Sequence, residues 1–176
     1  MAKVFFTSDP HLGHKNLVEG LRNMSVEECD NLIISNWNRV VSKRDMVYVL
    51  GDLVMEKHNI IEKYIRQLNG NIIIVGGNHD NRRCCIEYQR LGIPVMGALN
   101  YKGYICTHLP VHESALLGFK GNIHGHIHKQ GLIEGVGEYY PETIKDPRYY
   151  NVNVEFHDYT PVEFDKIERF FSNKNT

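Results

Sequence analysis

Short apolar runs recur along the chain, and each one stops at a turn-forming or polar residue. Runs of this length, bounded by Gly, Pro, Asn or Asp, are typical of buried β-strands. They predict strands at residues 3–8, 46–50, 72–75, 104–107 and 122–124. Residues 149–156 alternate between apolar and polar positions, which predicts a further, half-buried strand.

Between these runs, apolar residues recur at helical spacing. Ser25 and Glu28 have the spacing of a capping box and precede the first such segment. Helices are predicted at residues 26–41, 60–68 and 82–91, and a last one from residue 160, with Pro161 at its first position and a second capping box at 160–163. Strands that alternate with helices favour an α/β layered fold.

The chain shows no internal repeat, low-complexity segment or linker. We therefore expect one domain over residues 1–176. The segment 129–147 is rich in Gly, Tyr and charge, and we interpret it as a long loop or an irregular hairpin.

Net charge and cysteine content narrow the class of protein. The formal net charge is −1 at pH 7, so the chain offers little electrostatic attraction for nucleic acid or an anionic membrane. None of the 4 cysteines has the C-x-x-C spacing of a metal or redox motif, which favours reduced thiols. The N-terminal apolar run is too short for a secretory signal, and no run approaches the roughly 18 apolar residues of a membrane span. We expect a cytoplasmic protein without a membrane partner.

The 10 histidines matter through their placement. Each predicted strand in the first part of the chain is followed by residues that can bind a metal. These are Asp9, His11, Asp52, Asn78, His108, His126 and His128. In open α/β sheets the loops at the carboxyl ends of strands converge on one edge. So many donors exceed the needs of one tetrahedral ion and suit a pair of ions that share a bridging carboxylate.

The mixture of carboxylate, imidazole and amide donors bears on the identity of the metal. It favours two borderline divalent ions, with Mn²⁺ first and Fe²⁺, Zn²⁺ or Ni²⁺ as alternatives. Calcium prefers an all-oxygen shell, and structural zinc more often uses cysteine. The predicted site is therefore catalytic.

The same residues carry a resemblance to a known family. Asp9-Pro10-His11, Gly51-Asp52, Gly77-Asn78-His79-Asp80, His108 and Gly125-His126-Ile127-His128 resemble the five ordered motifs of calcineurin-like metallophosphoesterases. The resemblance implies a sandwich of two mixed sheets flanked by helices. Residues 9–17 and 152–162 are also similar to a compact, single-domain bacterial or phage branch of that family.

The resemblance also implies a role for each position. Asp9, His11 and His128 would hold one metal, and Asn78, His108 and His126 the other. Asp52 would bridge the two ions. His79 would contact the phosphate and protonate the leaving oxygen, and Asp80 would orient His79 and stabilise its charged form. Two ions about 3.5–4 Å apart lower the pKa of a shared water, so the expected nucleophile is a dimetal-bridging hydroxide.

Other polar residues could contact substrate, and each has a structural interpretation beside the functional one. His14 could touch the phosphate or simply bond to backbone. For His112 we favour a structural role. Arg82 could grip a phosphate, although a solvated helix end is the preferred interpretation. His124 is expected to pack behind the donors, whereas His58 and His157 are expected at the surface.

The predicted function is hydrolysis of small phosphodiesters or phosphomonoesters. A nuclease with the same chemistry is one alternative, and the net charge argues against it. A non-catalytic metal-binding scaffold is the other, and the full set of donors argues against that. The expected partner is a small phosphate ester rather than nucleic acid.

Overall fold

The computed structural model describes residues 2–55, 58–129 and 146–173, without the side chains of residues 58 and 59. The strands are β1 (Val4–Thr7), β2 (Met46–Val49), β3 (Asn71–Val75), β4 (Val95–Met96), β5 (Leu99–Tyr101), β6 (Tyr104–Cys106), β7 (Asn122–His124), β8 (Tyr149–Asn151) and β9 (Val162–Glu163). The helices are α1 (Lys15–Leu17), α2 (Val26–Val40), α3 (His58–Ile65), α4 (Arg82–Arg90) and α5 (Phe164–Ser172). A π-helical segment, Val18–Arg22, follows α1 directly.

The first sheet has the strand order β4-β3-β2-β1-β9. Strands β1 to β4 pair in parallel, with Phe6 opposite Tyr48 and Tyr48 opposite Ile73. Only β9 runs antiparallel, along the free edge of β1. Because β1, β2 and β3 are parallel, their carboxyl ends lie at the same edge of the sheet.

The second sheet has the order β5-β6-β7-β8. Strands β5 and β6 form an antiparallel pair, and β7 and β8 extend the sheet in parallel. The predicted α/β fold with two mixed sheets flanked by helices is therefore confirmed.

Alternation along β1 and β2 separates two hydrophobic cores. Phe5 and Val47 face the helices and join Trp37 of α2 and Tyr88 of α4. Phe6 faces the other side, where residues of the second sheet and α5 complete the core. This is the period-2 alternation expected of a strand that is buried on both faces. The site is thus built on strands that are anchored from both sides.

The chain after residue 146 departs from the sequence prediction. Val162 and Glu163 pair with β1 and do not begin a helix. The last helix starts at Phe164, and its N-cap Glu163 makes no side-chain capping bond, so the predicted capping box and the first-position Pro161 were wrong. The edge of β1 supplies the reason, since its backbone donors and acceptors need partners and Val162 fills the core beside Phe6.

Residues 149–156 do not form one continuous strand. Strand β8 ends at Asn151, and a 3₁₀ turn occupies Val154–Phe156. The Asn153 side chain accepts a bond from the backbone of Glu155 and so stabilises this turn. The short strands β4 and β5 were not predicted. The predicted loop at 129–147 lies almost wholly outside the described residues.

Two simpler expectations can be compared directly with the structure. All four cysteines are free thiols, as expected. Within the described ranges, no helix combines the length and the apolar character needed to cross a bilayer.

Candidate metal centre

The loops after β1 and β2 run side by side beyond the sheet. The backbone N–H of Asp9 donates to the Gly51 carbonyl at 3.1 Å, and that of His11 donates to the Asp52 carbonyl at 3.0 Å. These bonds extend the parallel pairing by several residues past the strand ends. They bring the side chains of both loops to the same place.

Four of the predicted metal-binding residues have a left-handed backbone. Their φ angles are 57° for Asp9, 51° for His11, 57° for Asp52 and 68° for His126. A positive φ is uncommon for residues other than glycine and persists where the surroundings enforce it. Such strain clusters at functional sites, and here it coincides with the donor set.

The first group of donors contains Asp9, His11 and His128. His11 Nε2 and His128 Nε2 each lie 3.7 Å from Asp9 Oδ1. One ligand atom from each of the three residues lies within 4.8 Å of the others. This spacing is compatible with a shared divalent ion.

The second group contains Asp9, Asp52 and His108, again with ligand atoms within 4.8 Å of one another. His108 donates its Nδ1–H to the Leu50 carbonyl at 2.7 Å, and its Nε2 lies 2.8 Å from Asn78 Oδ1. His126 Nδ1 lies 3.2 Å from the same His108 nitrogen. Asn78, His108 and His126 are therefore brought together.

Asp52, a member of the second group, also faces His11 of the first group. Its Oδ2 is 3.8 Å from His11 Nε2 and 3.3 Å from His108 Nε2. A single carboxylate oxygen thus faces both sets of donors, which is the position that a bridging ligand requires.

Buried polar atoms without partners test whether these residues fit metal ions. In the described part of the chain, Asp9 Oδ1 and His11 Nε2 are buried without a hydrogen-bond partner. The other Asp9 oxygen is well held, by the Ser8 hydroxyl and by the backbone N–H of His126 at 2.8 Å. Leaving a buried carboxylate oxygen unpaired costs free energy that a bound cation would offset. The donor set therefore fits divalent ions.

The electrostatics of the site agree with this fit. Burial is the largest single influence on His108 and would lower its pKa, but the carboxylates of Asp52 and Asp9 and the bond to the Leu50 carbonyl together outweigh burial and raise the pKa to about 9. Burial likewise disfavours the charge on Asp9, yet His11, His108 and His128 together hold its pKa below the usual range. A cation bound to these carboxylates would compete with the histidine protons.

His79 and His14 lie at the mouth of this cluster. The His79 side chain is exposed, and its ring centroid lies 5.4 Å from that of His11. The His14 ring is 5.5 Å from the His11 ring and 6.1 Å from the His79 ring, while its Nδ1 accepts a bond from the Leu17 backbone. The backbone bond that the sequence suggested for His14 is therefore present, and phosphate contact stays a prediction.

Asp80 has different partners from those expected. Its Oδ2 accepts bonds from the backbone N–H of Asp52 at 2.8 Å and of Gly77 at 2.9 Å, and its Oδ1 faces the Tyr88 hydroxyl at 3.4 Å. Among the hydrogen bonds of the described residues, none joins Asp80 to the His79 ring. The expectation that Asp80 directly orients His79 is corrected, because the carboxylate is buried beneath the loops that carry Asp52 and Asn78.

The remaining substrate candidates have local roles. His112 is exposed and caps a 3₁₀ turn, Glu113–Leu116, through a bond from the Ser114 backbone to its Nδ1. Arg82 is the exposed first residue of α4. Within the described ranges, no hydrogen bond or ion pair links either residue to the predicted metal-binding residues.

The burial of two other histidines can be compared with the sequence prediction. His124 is buried behind the donors, as expected, and burial lowers its pKa to about 4. His157 is not a surface residue, since its ring stacks on Tyr150 at 5.7 Å and its Nε2–H donates to the Asn151 carbonyl. The side chain of His58 lies outside the described residues.

Sequence reasoning missed two charged residues that contact the site. Glu155 accepts a hydrogen bond from His128 Nδ1 at 2.7 Å, and Arg22 donates to Glu155 at 3.0 Å. Burial opposes the charge on Glu155, but His128, Arg22 and the Lys129 backbone lower its pKa to about 2. The available signal was a glutamate placed within the alternating segment 149–156.

A cavity of about 400 Å³ adjoins the second donor group. Asn78 and His108 form one wall, and Gly97, Leu109 and Val111 lie among the other lining residues. No Lys, Arg, Asp or Glu is among the described residues that line it.

Comparison with known proteins gives consistent results. The sequence model of the calcineurin-like phosphoesterases matches residues 2–173. The uncharacterized protein MJ1445 of Methanocaldococcus jannaschii is 34% identical over 174 residues, which cover 95% of this chain and 90% of that protein. The glycerophosphodiester phosphodiesterase GpdQ of Enterobacter lignolyticus is 27% identical over 96 residues, which cover 52% of this chain and 34% of GpdQ.

A solved structure extends the likeness to the fold. The crystal structure of AQ665 from Aquifex aeolicus, a protein of unknown function, superposes with a TM-score of 0.72 at 24% identity, covering 96% of this chain and 99% of that one. The family match spans nearly the whole chain, and the donors of all five motifs converge at the carboxyl ends of β1, β2 and β3 of the first sheet and of β6 and β7 of the second. The chain belongs to the calcineurin-like phosphoesterase family of metal-dependent phosphoesterases.

Proposed function

We propose that the protein hydrolyses small phosphate esters at a centre that holds two divalent metal ions. The observation that carries the proposal is the convergence of the predicted donors around the buried, unpartnered atoms Asp9 Oδ1 and His11 Nε2. An exposed imidazole, His79, adjoins this cluster. Metal-binding atoms beside an accessible acid–base group are what phosphoester hydrolysis requires.

Asp9, His11 and His128 would hold one ion, and Asn78, His108 and His126 the other, with Asp52 between them. Bound ions supply Lewis acidity that activates water near neutral pH and offsets charge on the phosphoryl oxygens. We propose Mn²⁺ as the preferred ion because imidazole and carboxylate donors are mixed. The free thiols fit a reducing compartment such as the cytoplasm.

His79 would donate a proton to the leaving oxygen. An imidazole is suited to this role because it can exchange a proton near neutral pH. The backbone N–H of His79 donates to Asp52 Oδ1 at 3.0 Å, which holds the main chain of His79 next to the proposed bridging carboxylate. His14, beside it, would help to bind the phosphate.

We favour phosphodiesters over phosphomonoesters as substrates. The cavity beside Asn78 and His108 has room for an uncharged ester group, as ligand cavities start at about 300 Å³. The relative GpdQ is described as a glycerophosphodiester phosphodiesterase, which supports the same class.

The test is hydrolysis of bis(p-nitrophenyl) phosphate and p-nitrophenyl phosphate by metal-stripped protein, with Mn²⁺, Zn²⁺, Mg²⁺ or no metal restored. We expect release that depends on metal, is greatest with Mn²⁺ and is faster for the diester. An Asp9→Asn variant measures background hydrolysis by free metal and contaminants. Absence of release from protein that binds two ions would contradict the proposal and favour the scaffold alternative.

A further inference from the structure

We propose that Arg22 and Glu155 form a positioning pair that sets the geometry of the metal centre before any ion binds. Glu155 orients His128, and Arg22 holds the backbone of the loop that carries Asp9. The inference rests on the proposed metal centre and assigns a role to two residues outside the recognised motifs.

Glu155 determines which nitrogen of His128 faces the centre. It accepts the Nδ1–H of His128 at 2.7 Å, so Nε2 is the nitrogen available to bind a metal. The distance from this Nε2 to Asp9 Oδ1 is 3.7 Å. The second oxygen of Glu155 accepts the backbone N–H of Lys129 at 3.1 Å. The carboxylate thus holds both the ring and the backbone that follows it. A carboxylate on the far nitrogen fixes the orientation of a metal-binding histidine and strengthens it as a ligand.

Arg22 connects this carboxylate to the loop after β1. Its Nε donates to Glu155 Oε1 at 3.0 Å, while Nη1 donates to the Pro10 carbonyl at 2.9 Å and Nη2 to the Asp9 carbonyl at 2.8 Å. The planar fork of a guanidinium can make all three bonds in one orientation. Two of them fall on the strained segment that begins at Asp9, whose φ is 57°.

The pair lies where the loop after β1 meets the chain after β8, next to the isolated parallel bridge between Ser8 and Asn153. Asp9 follows β1 in the first sheet, whereas His128 follows β7 in the second. Arg22 ends the π-helical segment Val18–Arg22, and Glu155 lies in the 3₁₀ turn after β8. Both side chains are nearly inaccessible to solvent, at 1% and 7% exposure. Beside that bridge, a buried ion pair therefore adds a side-chain connection between the two sheets.

The test is Mn²⁺ affinity and stoichiometry of the Glu155→Gln variant, measured by titration calorimetry on metal-free protein whose fold is checked by circular dichroism. Loss of such a partner typically weakens metal binding about 10–100-fold. We expect a loss in this range at one of the two ions. Glu113→Gln is the matched control, because Glu113 also pairs with an arginine, Arg148 at 3.1 Å, but on the surface. It should bind Mn²⁺ as the unmodified chain does.

Affinity within twofold of the unmodified chain, in folded Glu155→Gln protein, would overturn the inference. So would a variant that loses thermal stability without metal yet binds both ions normally, since that pattern indicates a structural role alone. If the Glu155→Gln variant does not fold, Arg22→Lys tests the pair through its other member. This variant keeps the positive charge but loses the planar guanidinium, so it should also weaken Mn²⁺ binding. Normal affinity would overturn the inference.

Failure of the proposed function gives a different result. The unmodified chain would then bind two ions and hydrolyse neither diester nor monoester. The affinity comparison between Glu155→Gln and Glu113→Gln would still decide the role of the pair.

Discussion

At the scale of single residues, Gly125 shows how closely the chain approaches the carboxylate of Asp9. A Cβ atom at this position would lie 2.5 Å from Ser8 Cβ and 2.6 Å from Asp9 Oδ2. Neither neighbour can move freely, because both belong to the buried hydrogen-bonded group at the end of β1.

We therefore expect Gly125→Ala to destabilise the metal-free protein by about 1–3 kcal/mol, as overpacking does, and to weaken Mn²⁺ binding by displacing Asp9. Urea unfolding and calorimetry measure the two effects. Gly97→Ala is the control, since its Cβ would meet nothing within 4 Å. Equal stability of the two variants would contradict the prediction.

His79→Ala should separate binding of the metals from turnover. The His79 ring is exposed beside His11 but is absent from the two groups of converging donors. Removing it should leave two bound ions per chain and lower kcat about 10²–10⁴-fold, the usual contribution of a general acid. Metal analysis and diester hydrolysis check both parts. Unchanged turnover would remove His79 from the mechanism.

At the scale of elements, α2 begins as its sequence predicts. The Ser25 hydroxyl accepts a hydrogen bond from the backbone N–H of Glu28 at 3.2 Å. In turn, the backbone N–H of Ser25 donates to the Glu28 carboxylate at 2.9 Å. Ser25→Ala should lower the free energy of unfolding by about 1 kcal/mol. Ser25→Thr keeps the acceptor and should lose little. Chemical denaturation of both variants is the measurement, and equal losses would show that capping is not the cause.

The turn before β2 depends on a second carboxylate. Asp45 accepts backbone bonds from Lys3 at 2.8 Å and from Ser42 at 2.7 Å, which join the starts of β1 and β2. These bonds hold the pKa of Asp45 below its ordinary value of 3.8. A lowered folded-state pKa contributes stability that is present above the unfolded pKa and is lost as the pH falls through the folded value.

Asp45→Asn should therefore cost about 1 kcal/mol at pH 7. The loss of stability on acidification below about pH 4 should be smaller than in the unmodified chain. Unfolding free energies measured from pH 7 to pH 2 would show it. Parallel profiles for Asp45→Asn and the unmodified chain would contradict the prediction.

At the scale of the whole molecule, metal binding should stabilise the fold, because the ions bind buried donors that the unfolded chain does not bring together. At a Mn²⁺ concentration about 100 times Kd, binding of one ion raises the free energy of unfolding by about 2.7 kcal/mol. In a chain of this size, that raises Tm by about 5–10 °C. Thermal unfolding with and without Mn²⁺ measures the shift. Asp9→Asn should show little of it, and a full shift in that variant would place the ion elsewhere.

The errors of the sequence prediction concern strands too short to show a pattern and contacts between residues that are distant in the chain. β4 and β5 have two and three residues, too few for an alternating pattern to be visible. Val162 follows a proline and precedes a helical pattern, so local preference favoured a helix. Pairing with the exposed edge of β1 outweighed that preference. Asp80 was expected to orient its neighbour in sequence, His79, whereas its carboxylate accepts a bond from the backbone N–H of Asp52, 28 positions away.

The strands and helices of the main layers, the order of the metal-binding motifs and the family could all be predicted without a structure. These features depend on local periodicity and on residue types next to strand ends. Three-dimensional coordinates were needed to show which oxygen of Asp52 faces both donor groups, where Asp80 points, and how Arg22 and Glu155 join the two sheets. Those contacts link residues far apart in the chain, and their geometry follows from packing and left-handed backbone turns, which no local pattern specifies.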